Sequence, residues 1–364
     1  MSKKHYIIPI FVPHLGCPND CVFCNQRKIT GLSTNMTGRD VKKIVESYLK
    51  TIPKENTKVG LAFYGGSFTG IDKKIQKELI STANNYKKYG LIDSIRLSTR
   101  PDYINDEILN YLRKMCVDTI ELGVQSLDEK VLENSLRGHT SKDVYEAVKL
   151  IKKYKFKLGL QMMTGLPGDT LKKSLDTGIK IAKLKPNFTR IYPTLTVKET
   201  ELQRLYNKGE YKPFTLDETI SLCSDLLMLF ESNNIEVIRI GLQNTENISP
   251  NKDVVAGPFH SSLRQLVESR VYRIILDEII KTFTDKAYET LVISANKKEI
   301  NYIIGYKAIN TKYLKRKYGF EKINYKKIKL SKNIIYVETD GFKKKVDRYN
   351  IIKKYLQDKN LLLS

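Results

Sequence analysis

Six short apolar runs, each but the last followed by a stretch of helical periodicity, recur along the first half of this 364-residue chain. That alternation restricts the fold more than any other feature. Ile7–Val12, Val59–Tyr64, Ser94–Thr99, Thr119–Val124, Lys157–Met163 and Thr189–Tyr192 read as strands. Between them, Gly38–Thr51, Lys73–Tyr89, Asp106–Met115, Ser141–Tyr154 and Thr170–Lys183 read as helices. In the first of these, Val41, Ile44, Val45, Tyr48 and Leu49 form one apolar stripe at three-to-four spacing. Crossovers of this length join parallel strands, since antiparallel neighbours need only a tight turn. An open doubly wound sheet and a full or partial TIM-type barrel both satisfy the pattern. In either, motifs just after the strands fall on the face where sites form.

Beyond about residue 195 the alternation fades. Thr215–Asn233 and Ser261–Phe283 read as long helices, with a strand at Glu236–Gly241. Val255–His260 reads as a turn into the second helix, with Ser261 as its cap. Residues 281–364 carry 21 Lys/Arg against 8 Asp/Glu. Leu291–Ser294, Ile300–Tyr306 and Ile334–Glu338 look like strands there, and Asp340-Gly341 like a hairpin turn. The expected division is a core at 1–195, a mostly helical extension at 196–280 and a small basic α+β appendage at 281–364.

No apolar stretch approaches the roughly 20 residues that span a bilayer. The early run Tyr6–Val12 is short, broken by Pro9 and followed by no small-residue cleavage site, so it reads as a first strand. A cytoplasmic protein with no membrane partner is expected. The formal net charge of +23 points to a polyanionic partner such as nucleic acid. The excess is mostly lysine spread among Asn and Ile, a pattern that nucleotide bias in a genome also produces.

Cysteines stand at 17, 21, 24, 116 and 223. An odd count with three clustered argues against a disulfide framework and for a metal or redox site. Cys116 and Cys223, flanked by apolar residues on helical patterns, read as core positions. In Cys17-Pro-Asn-Asp-Cys21-Val-Phe-Cys24 one loop offers three thiolates. Three ligands on a four-iron cubane leave one iron open to a small molecule. A zinc site requires a fourth ligand, which His5 or His14 can supply. Phe23 is placed to shield the edge of a cluster. Gly65-Gly66-Ser67-Phe68 ends the second strand, where glycine lets backbone approach a ligand closely.

This spacing after a first strand resembles the radical S-adenosylmethionine superfamily. Further motifs follow in order: Ser98-Thr99-Arg100-Pro101-Asp102, Glu121-Leu122-Gly123-Val124-Gln125-Ser126, Arg137-Gly138-His139 and Ile191-Tyr192-Pro193-Thr194-Leu195. They resemble the elongator catalytic subunit, a family that modifies wobble uridines of tRNA. Gln161–Pro167 also resembles the oxygen-independent coproporphyrinogen oxidases. The likeness runs from about residue 5 to about residue 275.

The resemblance implies a partial (β/α)6 TIM-type barrel, α/β in class, with a [4Fe–4S] cluster on Cys17, Cys21 and Cys24 and S-adenosyl-L-methionine on the open iron. Gly65, Gly66, Ser67 and Phe68 would then receive the methionine amino group. Ser98 and Arg100 would sit near the ribose and methionyl group, and Phe23 against the adenine. Gln125 and Ser126 would lie beside the nucleoside, Arg137 would meet the cofactor carboxylate, and Gln161 would face the ribose hydroxyls. Tyr192 would line the mouth of the active site. His260 and His139 are candidate proton donors, with a surface or capping role as the alternative for each. A reducing partner such as flavodoxin or ferredoxin is implied. No glycine-rich loop for a coenzyme A pyrophosphate is found in the appendage, so acetyl transfer is not expected.

In the appendage Lys315, Arg316, Lys317, Lys326, Lys327, Lys343, Lys344 and Lys345 interleave with tyrosines. Lysines neutralise phosphates and tyrosines stack on unpaired bases, so tRNA is the expected partner and DNA is not. A solvated lysine-rich face is the alternative. The favoured function is radical modification of a tRNA base. Its rivals are radical chemistry on a small molecule such as a porphyrinogen, and RNA binding with a structural metal cluster.

Overall fold

The computed structural model describes residues 4–12, 17, 21–25, 36–242, 249, 252–283, 289–331 and 333–363. His14, one of the two expected zinc ligands, lies outside the described residues. The chain forms two compact units, Met1–Phe214 with Leu242–Phe259, and Thr215–Gly241 with His260–Ser364. The expected extension at 196–280 is thus shared between them.

In the first unit, strands β1 (Lys4–Val12), β2 (Thr57–Gly65), β3 (Ser94–Thr99), β4 (Thr119–Gln125), β5 (Lys157–Thr164) and β6 (Phe188–Pro193) lie side by side in chain order. All five pairings are parallel. Helices α1 (Gly38–Thr51), α2 (Lys73–Lys88), α3 (Asp106–Lys114), α4 (Glu129–Asn134), α5 (Ser141–Lys153) and α6 (Leu171–Lys183) fill the crossovers. Thr37 with Asp40, and Thr140 with Asp143, close capping boxes that set where α1 and α5 begin.

A doubly wound sheet reverses its strand order at a switch point, and this one never does. With right-handed crossovers the helices therefore collect on one face, and the sheet curls as a partial barrel. Ile8, Ile10, Leu61, Phe63, Ile95, Leu97, Ile120, Leu122, Leu160, Met162 and Ile191 face the helices and are buried completely or nearly so. Each stabilises the fold by about 1.5–3 kcal/mol. The alternate residues, among them Phe11, Tyr64, Ser98, Glu121, Gln161, Arg190 and Tyr192, line the other face. β7 (Thr196–Val197) pairs antiparallel with β9 (Val254–Ala256); helix α7 (Glu201–Asn207) follows β7.

In the second unit, α8 (Leu216–Ser232), β8 (Glu236–Ile240) and α9 (Leu263–Ile280) precede a four-stranded sheet. Its strands β10 (Thr290–Asn296), β11 (Lys322–Ile328), β12 (Ile334–Thr339) and β13 (Phe342–Asp347) are arranged 11-10-12-13. Helices α10 (Ile300–Ile304), α11 (Ile309–Tyr318) and α12 (Arg348–Asp358) complete it. Gly341, at φ 84°, makes the β12–β13 turn expected at Asp340-Gly341.

Three expectations are corrected. Ile300–Tyr306 is not a strand. Ile300–Ile304 is one helical turn ended by Gly305 at φ 83°, and Asn310 Nδ2 donates to the Tyr302 and Ile303 carbonyls at 3.2 and 3.1 Å. Tertiary hydrogen bonds here outweigh the strand propensity of isoleucine and tyrosine. Cys116 is exposed, not core: α3 ends before it and the residue adopts φ 54°. Cys223 is buried on α8, as its pattern predicts. Ser261 is not the cap of α9; Ser262 holds that position without a side-chain cap. No helix among the described residues is long and apolar enough to cross a membrane.

Candidate active site

Of the expected cofactor residues, Gly65–Phe68, Ser98, Arg100, Gln125 and Ser126 lie at the carboxyl ends of β2–β4, whereas Gln161 lies within β5 and Phe23 in the cysteine loop. Gly65, at φ 102°, pairs with Val12, and a Cβ there would run into the Val12 carbonyl oxygen. Only glycine allows that approach. It holds the end of β1, from which the cysteine loop leaves, against the turn at Gly66 and Ser67. Ser67 is buried; its Oγ lies 2.8 Å from Thr99 Oγ1 and accepts the Arg100 N–H at 3.2 Å, which ties the ends of β2 and β3. Phe68 turns its ring into the core, with its centroid 4.8 Å from that of Phe63, so its backbone alone faces the turn.

Two buried guanidinium groups dominate the electrostatics. Arg100 is 3% exposed. Its Nε and Nη2 donate to Asp102 at 3.0 and 2.9 Å, while Nη1 has no hydrogen-bond partner among the described residues. Arg137 is 7% exposed and donates from Nη1 to Cys21 Sγ at 3.3 Å and from Nη2 to the Gly123 carbonyl at 2.8 Å. Burial pushes the Cys17 thiol up. The Ser67 backbone N–H opposes this, Cys21 adds to it, and Arg100 and Arg137 pull the other way. Cys17, Cys21 and both guanidiniums therefore share one electrostatic environment. Among the described residues no three Cys, His, Asp or Glu side chains converge as for a metal ion, the three cysteines included.

The donor set nonetheless fits an anionic iron–sulfur group. Two cations faced by one carboxylate leave buried positive charge, which thiolates or a ligand carboxylate neutralise. The cysteine loop is also anchored. Val22 N–H donates to the Ser135 carbonyl at 3.2 Å, and Val22 accepts from Leu202 N–H at 2.7 Å. Phe23 packs beside Val22 against the cluster of Leu202 and Tyr211.

The remaining expected residues divide. Gln125 ends β4 at φ 64°, where the β4–β5 register shifts; its Oε1 is buried without a hydrogen-bond partner among the described residues. A side chain held in this conformation is costly, and such residues concentrate at functional sites. Ser126 instead caps its own turn, accepting from Asp128 N–H at 3.1 Å. His139 is neither a surface residue nor a cap. It is 4% exposed with Nε2 3.2 Å from the Val124 carbonyl; burial, then Arg137 and Arg100, push its pKa down to about 3. It is neutral at physiological pH and supports the end of β4.

On the inner face of the barrel lies a network that the sequence reading missed. Glu121 is completely buried; Arg190 Nε sits 2.6 Å from one carboxylate oxygen, to which Gln161 Nε2 also donates at 2.7 Å. Arg190 donates onward to Tyr192 Oη at 3.0 Å and Tyr64 Oη at 2.8 Å. Burial works to lower the Arg190 pKa, but Glu121 and the two phenols override it and raise it above the ordinary value. Gln161 is thereby committed on one side to Glu121, and Tyr192 is oriented by Arg190. Charged residues inside strands were the available signal. Ser98 Oγ, on the same face of β3, is buried with no hydrogen-bond partner among the described residues.

In the second unit His260 acts locally: its Nδ1 accepts the Ser262 N–H at 3.0 Å and its ring packs edge-on against Tyr306. Of the basic residues, Lys317 is held by Asp277 at 2.9 Å, Lys315 donates to the Glu321 carbonyl, and Lys344 donates to Thr282 at 2.8 Å. Arg316, Lys326, Lys327, Lys343 and Lys345 are exposed.

Residues 11–177 match the model of the radical SAM superfamily, and residues 186–273 that of the radical SAM C-terminal domain. An uncharacterized protein of Methanocaldococcus jannaschii is 31% identical over 239 residues, which cover 62% of this chain and 72% of the relative. The chain belongs to the radical SAM superfamily. It is a radical SAM enzyme, and the family uses a [4Fe–4S] cluster and S-adenosylmethionine. A tRNA uridine(34) acetyltransferase of M. jannaschii is 29% identical over 257 residues, 60% of this chain and 48% of the relative. The chain thus spans about half the length of that relative. The solved structure of Methanocaldococcus infernus Elp3, with an N-terminal deletion, shares the fold at a TM-score of 0.60 and 21% identity. That match covers 79% of this chain and 65% of the other.

Proposed function

We propose that this radical SAM enzyme holds its cluster on Cys17, Cys21 and Cys24 and modifies a base of tRNA. The observation that carries the cluster assignment is the buried pair Arg100 and Arg137 at the strand ends, with Arg137 bonded to Cys21 Sγ. Once bound and reduced by an external one-electron donor, a [4Fe–4S] cluster would supply, with S-adenosylmethionine, the radical chemistry that removes a hydrogen atom from a carbon. Arg137 disperses negative charge on the Cys21 thiolate. Because Arg137 is engaged there and at Gly123, Arg100 is the better partner for the methionyl carboxylate, through Nη1, which has no partner among the described residues. The Gly65–Ser67 turn offers backbone to the amino group, and Gln125 and Ser98 offer buried polar atoms to the nucleoside. Burial of Arg100, Ser98 Oγ and Gln125 Oε1 at the strand ends suits a site that keeps water from a radical.

The tRNA assignment rests on the likeness to the uridine(34) acetyltransferase and on the basic second unit. Its test is anaerobic turnover of the reconstituted enzyme with dithionite, S-adenosylmethionine and bulk tRNA deuterated in its pyrimidines, followed by mass spectrometry of 5′-deoxyadenosine and of the nucleosides. The expected result is deuterium in 5′-deoxyadenosine together with a new uridine-derived nucleoside. Turnover that ignores tRNA but responds to a porphyrinogen contradicts the assignment.

A further inference from the structure

Helices pack on one face of the four-stranded sheet of the second unit; among the described residues of the other face, Lys326 and Lys345 are exposed while Ser294 between them is buried. Leu291, Ile293, Ile335 and Val337 point to the buried side. On that side too lie Tyr325, whose Oη is 2.6 Å from Thr311 on α11, and Lys344 with its bond to Thr282. Strand alternation then sends Lys326, Ser294, Tyr336 and Lys345 to the opposite face. The register lines them up as one row across the sheet, Lys326 beside Ser294, Ser294 beside Tyr336 and Tyr336 beside Lys345. At about 4.8 Å per strand that row is about 14 Å wide.

The neighbouring row holds Asn324, Val292, Glu338 and Lys343. Lys343 lies 5.9 Å from the Tyr336 ring centroid and its Nζ 3.5 Å from Glu338, so the two charges are paired there. Lys326, Lys343 and Lys345 are exposed and Tyr336 is half-buried. The face thus presents one aromatic ring at its centre with lysines on both flanks. Ser294 beside the ring is small and does not cover it.

We propose that this face binds an unpaired stretch of RNA, with a base stacked on Tyr336 and phosphates on Lys326 and Lys345. A sheet face with an aromatic centre and a cationic border is how single strands are held without sequence readout. The choice of RNA rests on the tRNA reading above. The face sorts the basic residues that composition alone leaves equivalent. Lys326 and Lys345 belong to it and Lys343 is paired with Glu338 at its border; Lys327 and Lys344 project from the other side of their strands, and Lys315 and Lys317 are occupied on α11.

The test uses the full-length protein and a fluorescent twelve-residue single-stranded RNA, with affinity read by anisotropy across a salt series. Tyr336→Leu, which keeps an apolar side chain, is expected to weaken binding about tenfold. Lys326→Ser and Lys345→Ser are expected each to lower the salt slope by about 0.7, while Lys327→Ser leaves it unchanged. Thermal melts identify any variant that fails to fold, and the two exposed lysine variants read the face independently of Tyr336. Folded Tyr336→Leu protein that binds as wild type, with slopes unaltered at Lys326 and Lys345, overturns the proposal. So does binding of polyaspartate that competes with the RNA and ignores Tyr336, which marks the face as a site for an acidic protein. Cleavage of S-adenosylmethionine without RNA, measured on the same variants, stays at the wild-type rate. Its loss in every protein including wild type would instead implicate the radical reading.

Discussion

His139 shows how a buried neutral side chain makes the site sensitive to acid. Its folded pKa of about 3 lies below the ordinary 6.5, because burial and the two neighbouring guanidiniums disfavour its charged form. Between those values the unfolded chain binds a proton that the folded chain does not. The stabilisation is fully present above about pH 6.5 and is lost as pH falls toward 3, at about 1.4 kcal/mol per pH unit. Urea unfolding at pH 7.5 and pH 5 therefore shows a stability loss in wild type about 2 kcal/mol larger than in His139→Gln. Equal losses in the two proteins contradict a buried neutral His139. Burial of this kind is invisible in sequence, where His139 reads as a proton donor or, equally, as a surface or capping residue. The positions of Cys17, Cys21 and Gly65, by contrast, follow from local spacing and from the need for close backbone approach.

At the level of elements, the Glu121–Arg190 pair joins β4 to β6 across the inner face of the barrel and carries Gln161, Tyr64 and Tyr192 with it. Arg190→Met leaves Glu121 buried with Arg96, 3.7 Å away, as its remaining cation among the described residues. A loss of about 3–5 kcal/mol is expected by urea unfolding, with the double variant Arg190→Met/Glu121→Leu recovering part of it. No recovery in the double variant contradicts the pairing. Such a pair, 69 residues apart, becomes legible only once strand order is known. The strands themselves were legible, since apolar runs between amphipathic helices leave little else to form. The edge strands β11 and β13 were not, because Lys-rich sequences such as Lys322–Ile328 look like loops while being suited to a solvated edge.

Over the whole molecule, strand order decided between two architectures that periodicity left open, and the order found places every expected cofactor residue of β1–β4 at one end of a partial barrel. The central claim is that this end performs reductive cleavage of S-adenosylmethionine. Its most direct test is anaerobic reconstitution with iron and sulfide, dithionite reduction with S-adenosylmethionine, and quantitation of 5′-deoxyadenosine from wild type and Cys21→Ala. The account predicts 5′-deoxyadenosine from the reconstituted wild type and at least a hundredfold less from Cys21→Ala. Wild-type protein carrying a full [4Fe–4S] complement that yields none, or a Cys21→Ala variant that yields as much, contradicts it.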